Sequence, residues 1–287
     1  YEVSGVGRYR ANVFEQLLGR GGVFRVISNE VPTFDGIRLP EHLEDIVNIH
    51  QGLVIVSGPA GSGKTTTLAA LVNLFNERKR HHVLTLEDPI EYVHPVKNSL
   101  ISQREVGTHT ADFPTALRAA LREDPDVIVV GEMRDAETMR LAITASETGH
   151  LVIGTMHTTS ATKSVNRLID SFPTREQRQV RMMLSESLMV VLNQGLIRRK
   201  DGDGRVAYFE VLMNSGAVGN LIRDNKLGMI PSLMMIGYNK GMRTVDDALR
   251  ELVEADLISG EDAYMRATTK EEFESFVSQD FLEGVDD

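Results

Sequence analysis

Short apolar runs separated by helical patterns organise the middle of the chain. Helices are predicted from residue 65 to about 80, at 113–122 after Asp112 and at 136–148 after Asp135. Four apolar runs have the length and continuity of strands buried on both faces of a parallel sheet. They are residues 53–56, 83–86, 127–130 and 151–153. This alternation predicts an α/β fold around a parallel-containing sheet.

The first 38 residues follow a different pattern. Residues 5–13 and 24–27 alternate like half-buried strands, and residues 19–22, with three glycines, predict a turn between them. Two strands cannot bury a core of their own, so we expect this segment to pack on another part of the protein. Residues 31–36, which include Pro32 and Gly36, are the predicted linker.

From about residue 173 the pattern favours helices. Residues 174–177 match a capping box. Apolar residues then recur at helical spacing, namely Val180, Met183, Leu184, Leu188, Val191 and Leu192. Further helix starts are indicated at Ser259 and Thr269. We therefore expect a mostly helical C-terminal part over residues 173–287.

Composition and charge exclude several classes of protein. The 287 residues carry a formal charge of −10, which disfavours binding to nucleic acids or anionic membranes through overall charge. No cysteine is present, so disulfides and thiolate metal sites are excluded. No apolar run approaches the roughly 20 residues of a membrane span, and no secretory signal is visible. We expect a soluble cytoplasmic protein, and the start at Tyr1 suggests that its natural N-terminus is missing.

One motif carries a definite chemistry. A phosphate-binding P-loop follows the first predicted core strand and opens a predicted helix, which is the context that the motif requires. Its glycines let backbone N–H groups surround phosphates, Lys64 supplies positive charge to the β- and γ-phosphates, and the Thr65 hydroxyl is a ligand for Mg²⁺. The residues predicted to bind ATP are Gly58, Pro59, Ala60, Gly61, Ser62, Gly63, Lys64, Thr65 and Thr66.

Acidic residues follow two other predicted strands. In the strand that ends at Val130, Gly131 occupies the position where an Asp is usual, and Glu132 is the main candidate to orient or deprotonate water. Glu87 and Asp88 directly follow residues 83–86, and open α/β sheets place ligands beyond the carboxyl ends of their strands. Asp88 could hold Mg²⁺ through water, although an Asp-Pro turn is the plainer interpretation.

Three basic residues are further candidates. His157 follows the strand at residues 151–153 and is predicted to sense the γ-phosphate or relay conformational change; loop packing is the alternative. Arg118 and Arg122 lie four residues apart on one face of a predicted helix and could reach an anion. Surface solvation is the alternative for both arginines.

Taken together, these residues resemble the secretion-ATPase superfamily, and most closely the PilT/PilU group of type IV pilus retraction (twitching motility) ATPases. The resemblance covers essentially the whole chain. It is carried by the P-loop and by three further blocks. The first is an "Asp box" from Thr85 to Glu91, which runs on to Gln103-Arg104-Glu105-Val106. The other two are Val130-Gly131-Glu132-Met133-Arg134-Asp135 and a "His box" around His157. Gly131-Glu132 resembles the atypical Walker B motif of this family.

The resemblance implies a RecA-like ATPase core over residues 39–172 that works as a homo-hexamer with ATP and Mg²⁺. It implies that residues 1–31 are the end of a PAS-like N-terminal domain, with residues 32–38 as the linker. Arg10 and Arg25 match an N-terminal pair of arginines that approach the phosphates, and Arg118 and Arg122 match a core pair. The implied partners are an inner-membrane pilus platform protein and a paralogous retraction ATPase, at the cytoplasmic face of the inner membrane at the pilus base.

Two features bear on the direction of action. Assembly ATPases of the superfamily usually carry a tetracysteine zinc site, whereas this chain has no cysteine, which favours the retraction branch. The block from Ala217 to Asp224 resembles another family block but departs from it at Gly219, where retraction ATPases usually have Arg. The alternatives are a secretion or conjugation ring ATPase, a P-loop kinase of a small metabolite, and a DNA-translocating RecA relative.

Overall fold

A computed structural model describes residues 2–3, 7–27 and 30–285 as two sheets with associated helices. A small antiparallel sheet contains β1 (Glu2–Val3), β2 (Gly7–Gln16) and β3 (Gly19–Ile27). The large sheet contains seven strands, which are β4 (Gly52–Ser57), β5 (His82–Glu87), β6 (Leu100–Glu105), β7 (Val127–Val130), β8 (Leu151–Met156), β9 (Leu188–Arg198) and β10 (Arg205–Met213).

The large sheet is almost entirely parallel. Its strand order is β10-β9-β4-β8-β7-β5-β6, and every neighbouring pair is parallel except the β9–β10 hairpin. Residues of β4, β7 and β8 are buried throughout, as expected for strands covered on both faces. The predicted α/β fold with a parallel-containing sheet is confirmed.

Ten α-helices and five 3₁₀-helices are found in the described residues. The α-helices are α1 (Lys64–Arg78), α2 (Phe113–Ala120), α3 (Ala136–Glu147), α4 (Ala161–Asp170), α5 (Thr174–Ser187), α6 (Gly216–Arg223), α7 (Ile230–Ile236), α8 (Val245–Glu254), α9 (Gly260–Arg266) and α10 (Gln279–Val285). The 3₁₀-helices are Asp35–Ile37, Glu41–Asn48, Leu227–Met229, Tyr238–Lys240 and Lys270–Phe276. Within this part of the chain, no helix combines the length and apolarity needed to cross a membrane.

Helix-capping side chains fix where several helices begin. Asp112 and Asp135 accept hydrogen bonds from the backbone N–H groups of Thr115 and Thr138, at 2.7 and 2.8 Å, as their predicted capping role requires. Ser259 caps α9 in the same way. Each carboxylate or hydroxyl satisfies a backbone donor that the first helical turn leaves unpaired.

Most of the core forms two apolar layers on opposite faces of the sheet, and a third, smaller cluster packs residues of β9 and β10 against α8 and α9. Alternate residues of β4 point to opposite faces, so Leu53 and Ile55 lie in one layer and Val54 and Val56 in the other. The layer of Val54 and Val56 includes the fully buried Phe75 of α1. The other layer includes buried residues of α2–α7. This three-layer arrangement holds the carboxyl ends of the parallel strands at one rigid edge.

The N-terminal hairpin differs from the prediction in the position of its turn. The turn falls at residues 17–18, and residues 19–22, which predicted the turn, form the start of β3. Gly19 adopts a positive φ of 112° directly after the turn, which accounts for one glycine of the predicted cluster. Gly5 and Val6 of the predicted first strand lie outside the described residues.

The C-terminal part is less helical than its pattern predicts. Leu188, Val191 and Leu192 were expected at helical spacing but belong to β9, and Thr174 forms no capping box because α5 begins there after Pro173. β9 is buried on both faces, and a continuous apolar run does not distinguish a buried strand from a buried helix. The sheet therefore continues beyond residue 172, where we predicted the end of the core. The predicted linker also packs on the core through the buried Phe34.

Gly219 allows α5 and α6 to pack closely. A Cβ atom at this position would lie 2.8 Å from the backbone carbonyl oxygen of Ser185, and this contact is with backbone that cannot move independently. We therefore expect Gly219→Ala to lower the free energy of unfolding by about 1–3 kcal/mol, as overpacking does elsewhere. Urea unfolding would measure this change. Gly216→Ala, on the same helix with open space around it, is the control, and equal stability of both variants would contradict the packing argument.

Candidate active site

The carboxyl ends of the parallel strands line a cleft of ≈ 530 Å³. Open parallel sheets bind ligands at this edge, and the volume is within the range of small-molecule sites. The N-terminal hairpin closes the cleft from the other side. Among the predicted site residues, those that line it are Arg10, Arg25, Ala60, Gly61, Gly63, Lys64, Thr65, Thr66, Glu87, Asp88, Glu132 and His157.

The P-loop backbone has the shape of an anion cradle. Gly58, Gly61 and Gly63 have φ angles of 150°, 76° and 90°, a region that residues with a Cβ rarely adopt. A Cβ on Gly58 would lie 2.3 Å from the backbone carbonyl oxygen of Gln194 in β9. The loop thus fits only glycine at its tightest point, and it leads into the N-terminus of α1, where unpaired N–H groups attract phosphate.

Lys64 is held inside this loop. Its Nζ donates hydrogen bonds to the carbonyl oxygens of Gly58 at 2.8 Å and Pro59 at 2.9 Å, and it lies 3.3 Å from Nδ1 of His157. Burial lowers the pKa of Lys64, and the nearby carboxylate of Glu132 opposes this shift. A buried ammonium surrounded by neutral acceptors is well placed to bind a phosphate.

Glu132 lies beyond the end of β7 between two basic side chains. One of its oxygens, Oε1, is 3.1 Å from Nε2 of His157 and 2.5 Å from Nε of Arg134. Burial on its own would raise the pKa of Glu132, but the hydrogen bonds from Arg134 and His157 and their charges lower it overall. The carboxylate is therefore charged near neutral pH and faces the same cleft as Lys64.

Close packing against β5 explains why residue 131 is Gly and not the usual Asp. A Cβ at Gly131 would lie 2.9 Å from the carbonyl oxygen of Leu86 on the neighbouring strand β5, so no side chain fits there. Glu87, the last residue of β5, and Asp88, which follows it, line the cleft instead. The cleft therefore receives its further acidic side chains from the end of β5 and not from residue 131.

Glu87 and Asp88 differ in environment. Glu87 Oε1 accepts hydrogen bonds from Thr85 at 2.7 Å and Gln103 at 3.0 Å, and burial raises its pKa despite them. Asp88 is exposed to the cleft. Of the described residues, no three His, Cys, Asp or Glu are arranged to hold a metal by themselves. Thr65 and Asp88 supply oxygen donors to one cleft, which suits Mg²⁺, since this ion binds through few protein ligands together with phosphate and water.

The four predicted arginines fall into two groups. Arg10 and Arg25 are directly opposite each other on β2 and β3, and both line the cleft of their own chain. Like charges in this arrangement repel, so a bound anion between them would be stabilising. Arg118 instead forms an exposed ion pair with Glu137, and Arg122 lies exposed just after α2. Within the described part of the chain, neither Arg118 nor Arg122 lines the cleft.

Comparison with known proteins identifies the family to which this cleft belongs. The family model described as "Type II/IV secretion system protein" matches residues 36–247. The chain belongs to this family.

The relatives of this secretion ATPase extend the match to the N-terminal hairpin. A twitching motility protein of Neisseria gonorrhoeae is 51% identical over 271 residues, which are 94% of this chain and 72% of the relative. The type IV pilus retraction ATPase PilT of Pseudomonas aeruginosa is 51% identical over 273 residues, covering 95% and 79% of the two chains. A crystal structure of the pilus retraction motor PilT with bound ADP superposes with a TM-score of 0.87 at 45% identity, over 95% and 77% of the chains. The chain is thus PilT-like.

Several side chains in the site of this secretion ATPase escaped sequence reasoning. Arg134 pairs with Glu132, and Gln103 fixes Glu87. Gln194 accepts a hydrogen bond from Thr67 Oγ1 of α1 at 2.6 Å, behind the P-loop. Arg134 and Gln103 lie inside the sequence blocks that carry the family resemblance, and this position could have marked both as site residues. Gln194 has no such signal, because the residues at the start of β9 continue the helical pattern of α5.

Proposed function

We propose that this PilT-like protein hydrolyses ATP to drive retraction of type IV pili, the process that underlies twitching motility. The observation that carries the proposal is the convergence of Lys64 of the P-loop and the carboxylate of Glu132 on one cleft, where His157 contacts both. The identity with pilus retraction ATPases supports the mechanical role.

Each part of the cleft has a role in the proposed reaction. The P-loop N–H groups and Lys64 bind the phosphates, and Thr65 and Asp88 would hold Mg²⁺. Mg²⁺ held there would neutralise charge on the phosphate oxygens. Glu132 orients the attacking water and accepts its proton, and Arg10 and Arg25 stabilise the charge that develops on the transferred phosphoryl group. His157 links Lys64 to Glu132, so it can report whether phosphate is bound.

The proposed working unit is a homo-hexamer at the cytoplasmic face of the inner membrane, at the base of the pilus. Its proposed partners are an inner-membrane platform protein and a paralogous retraction ATPase. Since Arg118 and Arg122 lie outside the cleft of their own chain, any contact with phosphate would be made in the site of a neighbouring subunit. We propose that the stroke moves the N-terminal domain against the core about the linker from Pro32 to Gly36, whose Phe34 is buried on the core.

Steady-state ATP hydrolysis, without metabolite acceptor or DNA, tests this function. We expect turnover in the presence of Mg²⁺, a particle mass in ATP six times that of the chain, and restoration of twitching in a strain that lacks its retraction ATPase. A monomer that consumes ATP only with a small-molecule acceptor would indicate a kinase, and stimulation by DNA would indicate a translocase. Turnover as a ring without restored twitching would indicate a different secretion machine.

Arg134 should set the acid limit of this activity. In Arg134→Gln the ion pair with Glu132 is lost while the carboxylate remains partly buried, so the pKa of Glu132 should rise. A base with a raised pKa is protonated, and therefore inactive, at a higher pH as the solution is acidified. We expect the acid limb of the kcat profile to move to higher pH, with little change above neutrality.

The control for this variant is Arg140→Gln, because Arg140 pairs with Glu176 outside the cleft. Profiles of kcat against pH for both variants and the wild type, at saturating ATP, provide the comparison. His157 and Lys64 also face Glu132 and stay unchanged in both variants. If kcat of Arg134→Gln fell at the same acidic pH as kcat of the wild type, Glu132 would not be the group whose protonation limits the activity.

A further inference from the structure

Arg8 connects the N-terminal hairpin to the loop that carries the acidic residues. Its guanidinium donates two hydrogen bonds to successive backbone carbonyl oxygens, from Nη2 to Ile90 at 2.9 Å and from Nη1 to Glu91 at 3.1 Å. Arg8 is half-buried, whereas the hairpin beyond it, from Arg10 to Arg20, is exposed. A planar guanidinium that holds two neighbouring carbonyls fixes orientation as well as distance.

The same loop is fixed from the core side. It runs without regular structure between β5 and β6, and Glu105 of β6 accepts a hydrogen bond from the N–H of Ile90 at 2.9 Å. Gln103 bonds both to the carbonyl of Tyr92, at 2.8 Å, and to the carboxylate of Glu87, at 3.0 Å. Ile90 is thus held by Glu105 through its N–H and by Arg8 through its carbonyl. Asp88 lies only two residues earlier.

The hairpin face that carries Arg8 is also the face that points into the cleft. Side chains two residues apart on a strand share a face, so Arg8 and Arg10 lie on the same side of β2. In the register of the hairpin, Arg10 is opposite Arg25 and Arg8 is opposite Ile27. Three of these residues, Arg10, Arg25 and Ile27, line the cleft. The hydrogen bonds of Arg8 to the loop between β5 and β6 therefore set where Arg10 and Arg25 lie relative to the acidic residues of that loop.

We infer that Arg8 is a positioning residue that couples the placement of the N-terminal arginines to the placement of the acidic loop. This inference rests on the proposed ATP hydrolysis, in which arginines and acidic residues act on opposite sides of the same phosphates. Arg8 itself does not line the cleft. When the hairpin moves, the two hydrogen bonds of Arg8 carry the motion to the backbone beside Asp88. The N-terminal arginines and the acidic residues therefore reach their productive spacing together.

The test compares Arg8→Ala, Arg8→Lys and the control Arg20→Ala in the whole chain. Arg20 lies in the exposed end of the same hairpin, where it pairs with Glu15 at 3.6 Å. We expect Arg8→Ala to lower kcat for ATP by roughly 10²-fold, the cost of misplacing a reacting group by about 1 Å, with ADP affinity changed less than threefold because the P-loop is intact. Lysine offers one donor site in place of the fork, so Arg8→Lys should recover part of kcat. Arg20→Ala should match the wild type.

A second measurement separates positioning from folding. Hydrogen exchange of the backbone amides of residues 88–99 should become faster in Arg8→Ala, while exchange in the sheet core stays unchanged. Equal loss of kcat and ADP affinity, or faster exchange throughout the core, would overturn the inference in favour of a merely structural role. Wild-type kcat with unchanged exchange in the loop would also overturn it. A wild-type chain without ATP turnover would instead refute the proposed function, and the exchange result would still decide whether Arg8 holds the loop.

Discussion

Replacing Glu132 with glutamine should reduce kcat for ATP hydrolysis by roughly 10²–10⁴-fold, the usual contribution of a positioned general base. Glutamine has nearly the same shape but cannot accept the proton of the attacking water. The phosphate-binding groups, Lys64 and the P-loop backbone, remain in place, so affinity for ATP and ADP should stay close to the wild-type value. Single-turnover hydrolysis and nucleotide titration on the same preparations would separate the two effects.

Glu176→Gln is the matched control for this variant. Glu176 is a partly exposed carboxylate that pairs with an arginine, Arg140, as Glu132 pairs with Arg134, but it lies outside the cleft. Its loss should leave hydrolysis unchanged. If Glu132→Gln hydrolysed ATP as fast as the wild type, the proton acceptor would have to be sought at the end of β5. Glu87→Gln and Asp88→Asn would then be the variants to measure.

The sequence predicted the centre of this fold well because its signals there are local. Four short apolar runs correspond to β4, β5, β7 and β8, since a strand covered on both faces needs apolar residues at every position. The same reasoning failed at β9, where an apolar run directly continues the helical pattern of α5. Only pairing with β4 and β10, which joins residues far apart in sequence, decides that this run is a strand.

The candidate site shows the same division. The P-loop and the acidic residues at strand ends could be predicted, because parallel strands bring their carboxyl ends to one edge whatever the loops do. Side chains that act on these residues could not be assigned in this way. Arg134 lies only two residues from Glu132, so that contact is local, whereas Arg8 reaches the loop after β5 from the other sheet, 82 residues away along the chain. Contacts of this kind depend on tertiary packing.

Replacing Gly58 with alanine should abolish tight nucleotide binding. The new Cβ would lie 2.3 Å from the carbonyl oxygen of Gln194 and 2.5 Å from Oγ of Ser62, and the φ of 150° would be strained as well. Because Gln194 is fixed between β4 and β10, the P-loop must move. Losing two charge-assisted bonds from the loop to phosphate would cost at least roughly 3 kcal/mol, or about 100-fold in Kd for ADP.

Gly149→Ala is the control that separates overlap from backbone strain. Gly149 also has a positive φ, 103°, but it lies in the turn between α3 and β8 with nothing within 4 Å of its Cβ position. Its replacement should lower the melting temperature slightly, through the cost of a left-handed residue, and leave ADP affinity unchanged. Isothermal titration with ADP and thermal unfolding of both variants provide the comparison. An unchanged Kd in Gly58→Ala would mean that the loop can bind phosphate in another shape, and the tight packing of Gly58 on β9 would then not be what forms the cradle.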